Sequence, residues 1–126
     1  MIFFNTAKKS LGQNFLIDQN IINKIIKIGN IEKSKTILEI GSGNGSLTRK
    51  IASMKPKKIF AIEKDKKLAS FLKNIFKDYD NVKIINNDIF NIIENKNLGQ
   101  NIIVFGNLPY NISTQILASL VLLEKW

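Results

Sequence analysis

Four consecutive residues, Asn107-Leu108-Pro109-Tyr110, put an amide, a proline-stiffened bend and an aromatic ring within one turn. That set suits a planar base carrying an amino group. The Asn107 side-chain oxygen and a backbone carbonyl accept the two amino hydrogens while Tyr110 stacks on the ring. Two acceptors draw the nitrogen lone pair out of conjugation and hold it in line with an electrophilic methyl group, so the chemistry is chiefly positioning. Asparagine takes no proton, and the motif therefore contains no general base. A β-turn with an incidental tyrosine is the plainer alternative, and it loses weight beside the motifs that precede it.

Upstream, Glu39-Ile-Gly41-Ser-Gly43-Asn-Gly45 is a glycine-rich turn placed between a strand and a helix. Gly41, Gly43 and Gly45 let backbone pass close to a ligand and aim amide N–H groups at it. A dinucleotide fingerprint of the G-x-G-x-x-G type would put glycine or alanine at 46, where this chain has Ser46, so a nicotinamide cofactor is disfavoured. Glu63 follows about 20 residues after the turn, where a carboxylate accepts from both ribose hydroxyls. By itself it would read as a solvated charge beside Lys64, Asp65 and Lys66. Asp88 follows the next strand, positioned to accept from the amino group of an adenine with Ile89 against the ring; alone, it would read as a helix cap.

These residues need elements to position them. Strand-like runs begin at Thr36, Lys58, Val82 and Asn101, short and mostly apolar, as strands covered on both faces are. A helix is expected after Asp18 as N-cap, with an apolar stripe of Ile21, Ile22, Ile25, Ile26 and Ile28 and a stop at Gly29. Another is expected at 65–79, where Leu68, Phe71, Leu72, Ile75 and Phe76 recur at helical spacing, and a last one at 112–123. Strands alternating with helices predict an α/β doubly wound parallel sheet of four strands, with ligands beyond the carboxyl ends. A sheet of four strands followed by a helix at 112–123 is expected to leave an unpaired edge for further strands.

At 126 residues and 44% hydrophobic, the chain suits a single domain. With neither cysteine nor histidine, disulfides, thiolate metal sites and histidine catalysis are excluded. No run approaches the ~18 apolar residues of a membrane helix, and a cytoplasmic protein without membrane or metal is expected. The formal charge of +9 suits a nucleic-acid partner. It is equally compatible with the lysine, isoleucine and asparagine bias of an A/T-rich genome, since every basic residue except Arg49 is lysine.

The chain resembles the KsgA/RsmA-type rRNA adenine dimethyltransferases through Leu11-Gly-Gln-Asn-Phe-Leu-Ile-Asp18, the glycine turn, Ile62-Glu63, Asn87-Asp88 and Phe105-Gly-Asn-Leu-Pro-Tyr-Asn-Ile-Ser113. The resemblance implies a Rossmann-like class I methyltransferase fold with S-adenosyl-L-methionine as cofactor. It implies that Gln13, Asn14 and Leu16 touch the methionine end, Gly41, Gly43 and Gly45 line the pocket, Glu63 takes the ribose and Asp88 the adenine. Asn107 stands between cofactor and target base, with Leu108, Pro109 and Tyr110 completing the base site. The implied reaction is dimethylation of the N6 atoms of two adjacent adenosines in the 3′-terminal hairpin of small-subunit rRNA, on the free rRNA or a pre-ribosomal particle, by an enzyme that is monomeric at full length. Members of that family continue well beyond this length, so residues 1–126 are expected to be the amino-terminal part of a catalytic domain, without the C-terminal strands and RNA-binding helical domain and inactive alone.

Three other readings compete. Large-subunit rRNA adenine methyltransferases that confer macrolide resistance usually carry isoleucine where this chain has Leu108. DNA adenine methyltransferases usually carry Asp-Pro-Pro-Tyr. A non-catalytic RNA-binding assembly factor of the same fold would not need Glu63, Asp88 and Asn107 intact.

Overall fold

A computed structural model describes residues 2–4, 18–94, 101–108 and 118. Along the chain these form β1 (Ile2–Phe4), α1 (Gln19–Gly29), β2 (Thr36–Ile40), α2 (Ser46–Ser53), β3 (Lys58–Ile62), α3 (Lys66–Ile75), β4 (Val82–Ile85), α4 (Ile89–Glu94) and β5 (Ile102–Asn107). Of the helix expected at 112–123, only Ala118 is described, and it is helical.

All strands run parallel, in the order β1-β5-β2-β3-β4. Among the described residues the sheet has five strands where four are expected from the sequence. The additional one is β1, which pairs Ile2, Phe3 and Phe4 with Phe105, Gly106 and Asn107. From β2 through β3 to β4 the chain steps one way, and after α4 it returns to lay β5 on the opposite side of β2. The carboxyl ends of β2 and β5 therefore flank the point where strand order reverses, the place where open α/β sheets bind ligands.

Alternation along each strand divides the core in two. Ile37, Ile59 and Phe105 pack with Ile22, Ile25 and Ile26 of α1 and Leu47, Ile51 and Ala52 of α2. On the other face Leu38, Ile40, Ile62 and Val104 pack with Ile89 and Ile93 of α4. Fully burying one such side chain is worth about 1.5–3 kcal/mol, and these two layers hold the strand ends in place.

Local chemistry sets the helix ends. The Asp18 carboxylate accepts the N–H groups of Asn20 at 2.9 Å and Ile21 at 3.3 Å, as an N-cap should. The helix ends at Gly29, as expected, but the left-handed cap is Asn30 (φ 46°), a conformation that a short polar side chain tolerates. Ile21 and Ile28, seven residues apart and so on the same flank, are exposed rather than part of the buried stripe. In α3 the buried contacts come from Ala69 and Leu72, continued by Phe76 just past its end. Phe71 lies off that face and is exposed, and α3 is shorter than the expected 65–79.

Candidate active site

The strand register lines up the expected site residues along one edge. Ile40 pairs with both Ile62 and Gly106, and Ile62 with Ile85. One step further along each strand stand Asn107, Gly41, Glu63 and Asn86, with Phe4 beside Asn107 in register. The glycine turn occupies the centre of this row.

The turn is built from backbone that only glycine adopts readily. Gly41, Gly43 and Gly45 have φ of 74°, 56° and 83°. The Gly41 N–H donates to the Ile62 carbonyl at 2.9 Å, which tethers the turn to β3. Gly45 plays a different part from the other two. A Cβ there would lie 2.8 Å from Leu72 Cδ2 and 2.9 Å from Phe76 Cε2, so its missing side chain is what lets α3 approach the start of α2.

Glu63 is 7% exposed, and both its carboxylate oxygens are engaged: Oε2 accepts from Gly43 N at 2.8 Å and Oε1 from Asp65 N at 3.0 Å. Each oxygen retains acceptor capacity, because a carboxylate offers about four lone-pair sites. The glycine turn and the acid expected to hold ribose are thus one hydrogen-bonded unit.

Behind the turn lies a group to which no motif assigns a role. The Glu39 carboxyl is buried, and its Oε2 accepts from the Thr48 hydroxyl at 2.5 Å, tying the end of β2 to the first turn of α2. Burial pushes this carboxyl up to about 8 from an ordinary 4.5; the Thr48 and Ser42 hydroxyls oppose the rise and the nearby Glu63 charge adds to it. Ser42 Oγ, buried alongside, completes no hydrogen bond of good geometry. Burial therefore favours the neutral acid form of Glu39.

Asp88 caps α4, its Oδ1 accepting from Phe90 N at 3.0 Å, and its Oδ2 lies 3.1 Å from the Lys64 ammonium. The Phe90 N–H holds this carboxyl below the usual range, partial burial opposes, and Lys64 lowers it further. Asp88 is thus a cap, as its plainer reading has it, and also a carboxylate at the site edge. Ile89, expected against an adenine face, is instead 5% exposed and packs in the α4 core. Leu108 is buried in the same cluster.

Two asparagines act as braces, a role that the motifs do not assign to them. Asn86 Nδ2 donates to the carbonyls of Glu63 at 2.9 Å and Lys64 at 3.1 Å, joining the ends of β3 and β4. Asn87 Oδ1 accepts from Asp88 N at 2.7 Å and from Asn91 Nδ2 at 2.9 Å, fixing the start of α4. Asn107 ends β5, while Gln13, Asn14, Leu16, Pro109 and Tyr110 lie outside the described residues. Among the described residues no group of three or more acidic side chains is arranged to hold a metal ion.

A doubly wound parallel sheet with a glycine turn at its switch point and an acid ending the next strand is the class I methyltransferase fold, and solved structures share it. The 23S rRNA methyltransferase ErmE superposes with a TM-score of 0.75 at 24% identity over 89% of this chain and 44% of its own. A dimethyladenosine transferase from Plasmodium falciparum superposes with a TM-score of 0.72 at 28% identity over 86% of this chain and 38% of its own. The chain belongs to the ribosomal RNA adenine dimethylase family, which matches residues 4–125. It is 51% identical over 119 residues to the ribosomal RNA small subunit methyltransferase A of Pelagibacter ubique, covering 94% of this chain and 44% of that protein. With the protein of the same name from Staphylococcus epidermidis it shares 47% identity over 120 residues, 90% of this chain and 40% of that one. The chain thus spans about two fifths of the length of the curated relatives it matches.

Proposed function

We propose that this chain carries the S-adenosyl-L-methionine site and the base-binding turn of an enzyme that dimethylates N6 of adenosines in small-subunit rRNA. The observation that carries the reading is the row at the carboxyl edge, where Asn107, the glycine turn and Glu63 stand level on adjoining strands. The residues present fit the cofactor: the turn offers backbone without side chains, Glu63 keeps acceptor capacity for ribose, and Asp88 is an acceptor at the edge where the base would lie. When bound, the cofactor supplies an electrophilic methyl group on a sulfonium. The chain's own work is to orient. Asn107 and a backbone carbonyl of the following turn accept the amino hydrogens of the target adenine, and Tyr110 stacks on it. No residue needs to act as a base, since the proton can leave to water after transfer.

The names of the relatives at 51% and 47% identity support small-subunit rRNA as substrate, and with it a cytoplasmic site of action on rRNA or an assembling particle. Labelled methyl transfer to small-subunit particles that lack the modification, by the protein that carries this chain, tests the reading. Label recovered as N6,N6-dimethyladenosine in small-subunit rRNA is expected. Label entering only large-subunit rRNA would replace it with the macrolide-resistance reading.

A further inference from the structure

Lys64 places a cation on the oxygen that the base would use. Of the two Asp88 oxygens, Oδ1 already accepts the Phe90 N–H in capping α4, so Oδ2, which does not share in the cap, has the greater acceptor capacity for an incoming amino group. The Lys64 ammonium already lies 3.1 Å from Oδ2, on a side chain that is 79% exposed against 30% for Asp88. The approach is not a chance reach of a long side chain from a loose loop. The Lys64 carbonyl accepts from Asn86 Nδ2 at 3.1 Å, so the backbone that launches the lysine is pinned to the end of β4, two residues before Asp88.

We propose that Lys64 competes with the cofactor's adenine for Asp88 Oδ2 and so sets both the affinity and the base selectivity of the site. The proposal rests on the reading of Asp88 as the acceptor for the adenine amino group. As an exposed ion pair, Lys64–Asp88 is weak enough to be displaced, and releasing it should change binding by about two- to fivefold. Salt screens such a pair, with a Debye length of about 10 Å at 0.1 M, so salt should free Asp88 for an adenine. The pair also presents a donor beside an acceptor. A 6-oxo purine, which would meet only a repelling carboxylate at Asp88, finds a partner in the lysine ammonium, so Lys64 blunts discrimination against hypoxanthine.

Calorimetry on the full chain decides the matter, with S-adenosylhomocysteine and S-inosylhomocysteine as probes because neither carries net charge and direct screening of the ligand is small. Lys64→Met should bind the adenine probe about two- to fivefold tighter than the parent chain does at low salt, lose the rise in affinity with added salt, and bind the inosine probe more weakly. Lys64→Arg should restore the parent pattern on all three counts. Unchanged salt dependence and unchanged base preference in Lys64→Met would overturn the role of Lys64, while weakened adenine binding in Asp88→Asn would leave the Asp88 reading standing. If Asp88→Asn altered binding of neither probe while Glu63→Gln weakened both, the Asp88 reading itself would fall, and this one with it.

Discussion

Glu63 reaches back to the glycine turn, its Oε2 accepting the Gly43 N–H at 2.8 Å while its Oε1 holds the Asp65 N–H at 3.0 Å. One carboxylate thereby fixes the turn and, on the proposed reading, also accepts from ribose. Glu63→Ala loses both functions. Charge-assisted hydrogen bonds contribute about 1.5–3 kcal/mol each, so cofactor affinity measured by calorimetry should fall at least about tenfold. Glu63→Gln, which keeps one acceptor oxygen, should fall less. An unchanged affinity in the alanine variant would remove Glu63 from the site.

The buried Glu39 predicts a pH dependence of stability. Its folded value, about 8, lies above the ordinary 4.5, so between those values the folded state holds a proton that the unfolded chain has released. The sign follows: the stabilisation is fully present below pH about 4.5, declines as pH rises, and is lost by the time pH has passed through about 8. A tenfold difference in proton affinity between the folded and unfolded chain corresponds to about 1.4 kcal/mol, which makes the loss a few kcal/mol across the window. Urea unfolding at pH 5 and pH 8.5 should show the decline in the parent chain and a much flatter profile in Glu39→Gln. Equal slopes in the two proteins would mean that Glu39 is ionised in the fold.

Gly45 should tolerate no side chain. Alanine there would have to adopt φ of 83° and bring its Cβ within 2.8 Å of Leu72 Cδ2. The left-handed backbone costs roughly 1–2 kcal/mol and overpacking about 1–3 kcal/mol. Gly45→Ala should therefore lower the denaturant midpoint clearly, and Leu72→Ala in the same chain should recover part of the overpacking. Additive losses in the double variant would show that the clash is not what matters.

Tyr110, outside the described residues, is expected to act through its ring. Stacking on a base contributes about 1–3 kcal/mol, so Tyr110→Ala should cripple methylation while cofactor affinity stays nearly unchanged. Tyr110→Phe should keep much of the activity. A phenylalanine variant as damaged as the alanine one would assign a role to the hydroxyl.

Legibility in the sequence follows the range of the interactions involved. β2, β3 and β4 can be read because each is a short apolar run bounded by turn residues, and Asp18 because a cap bonds to residues two and three ahead. The glycine turn and Glu63 can be read because their order along the chain is itself the motif. β1 cannot, since three residues carry no usable period and their partner strand lies at the other end of the chain. Lys64, Asn86 and Thr48 stay hidden for a related reason. Their partners Asp88, Glu63 and Glu39 become neighbours only once it is known which strand ends adjoin and which helix sits over them. Ile89 is misassigned from sequence because an apolar residue next to a functional acid fits a ring face and a core equally well; packing against Leu38 and Val104 decides it.

The pairing of Ile2 with Phe105 means that the two chain segments with the greatest separation in the sheet are hydrogen-bonded neighbours. Closing so long a loop is slow relative to the adjacent crossovers that build β2, β3 and β4, which need only the span of one helix each. On a chain emerging from a ribosome, the β2-β3-β4 portion can assemble while β1 waits unpartnered until β5 has been made. β1 therefore takes its place in the sheet later than β2, β3 and β4, although it precedes them in the chain.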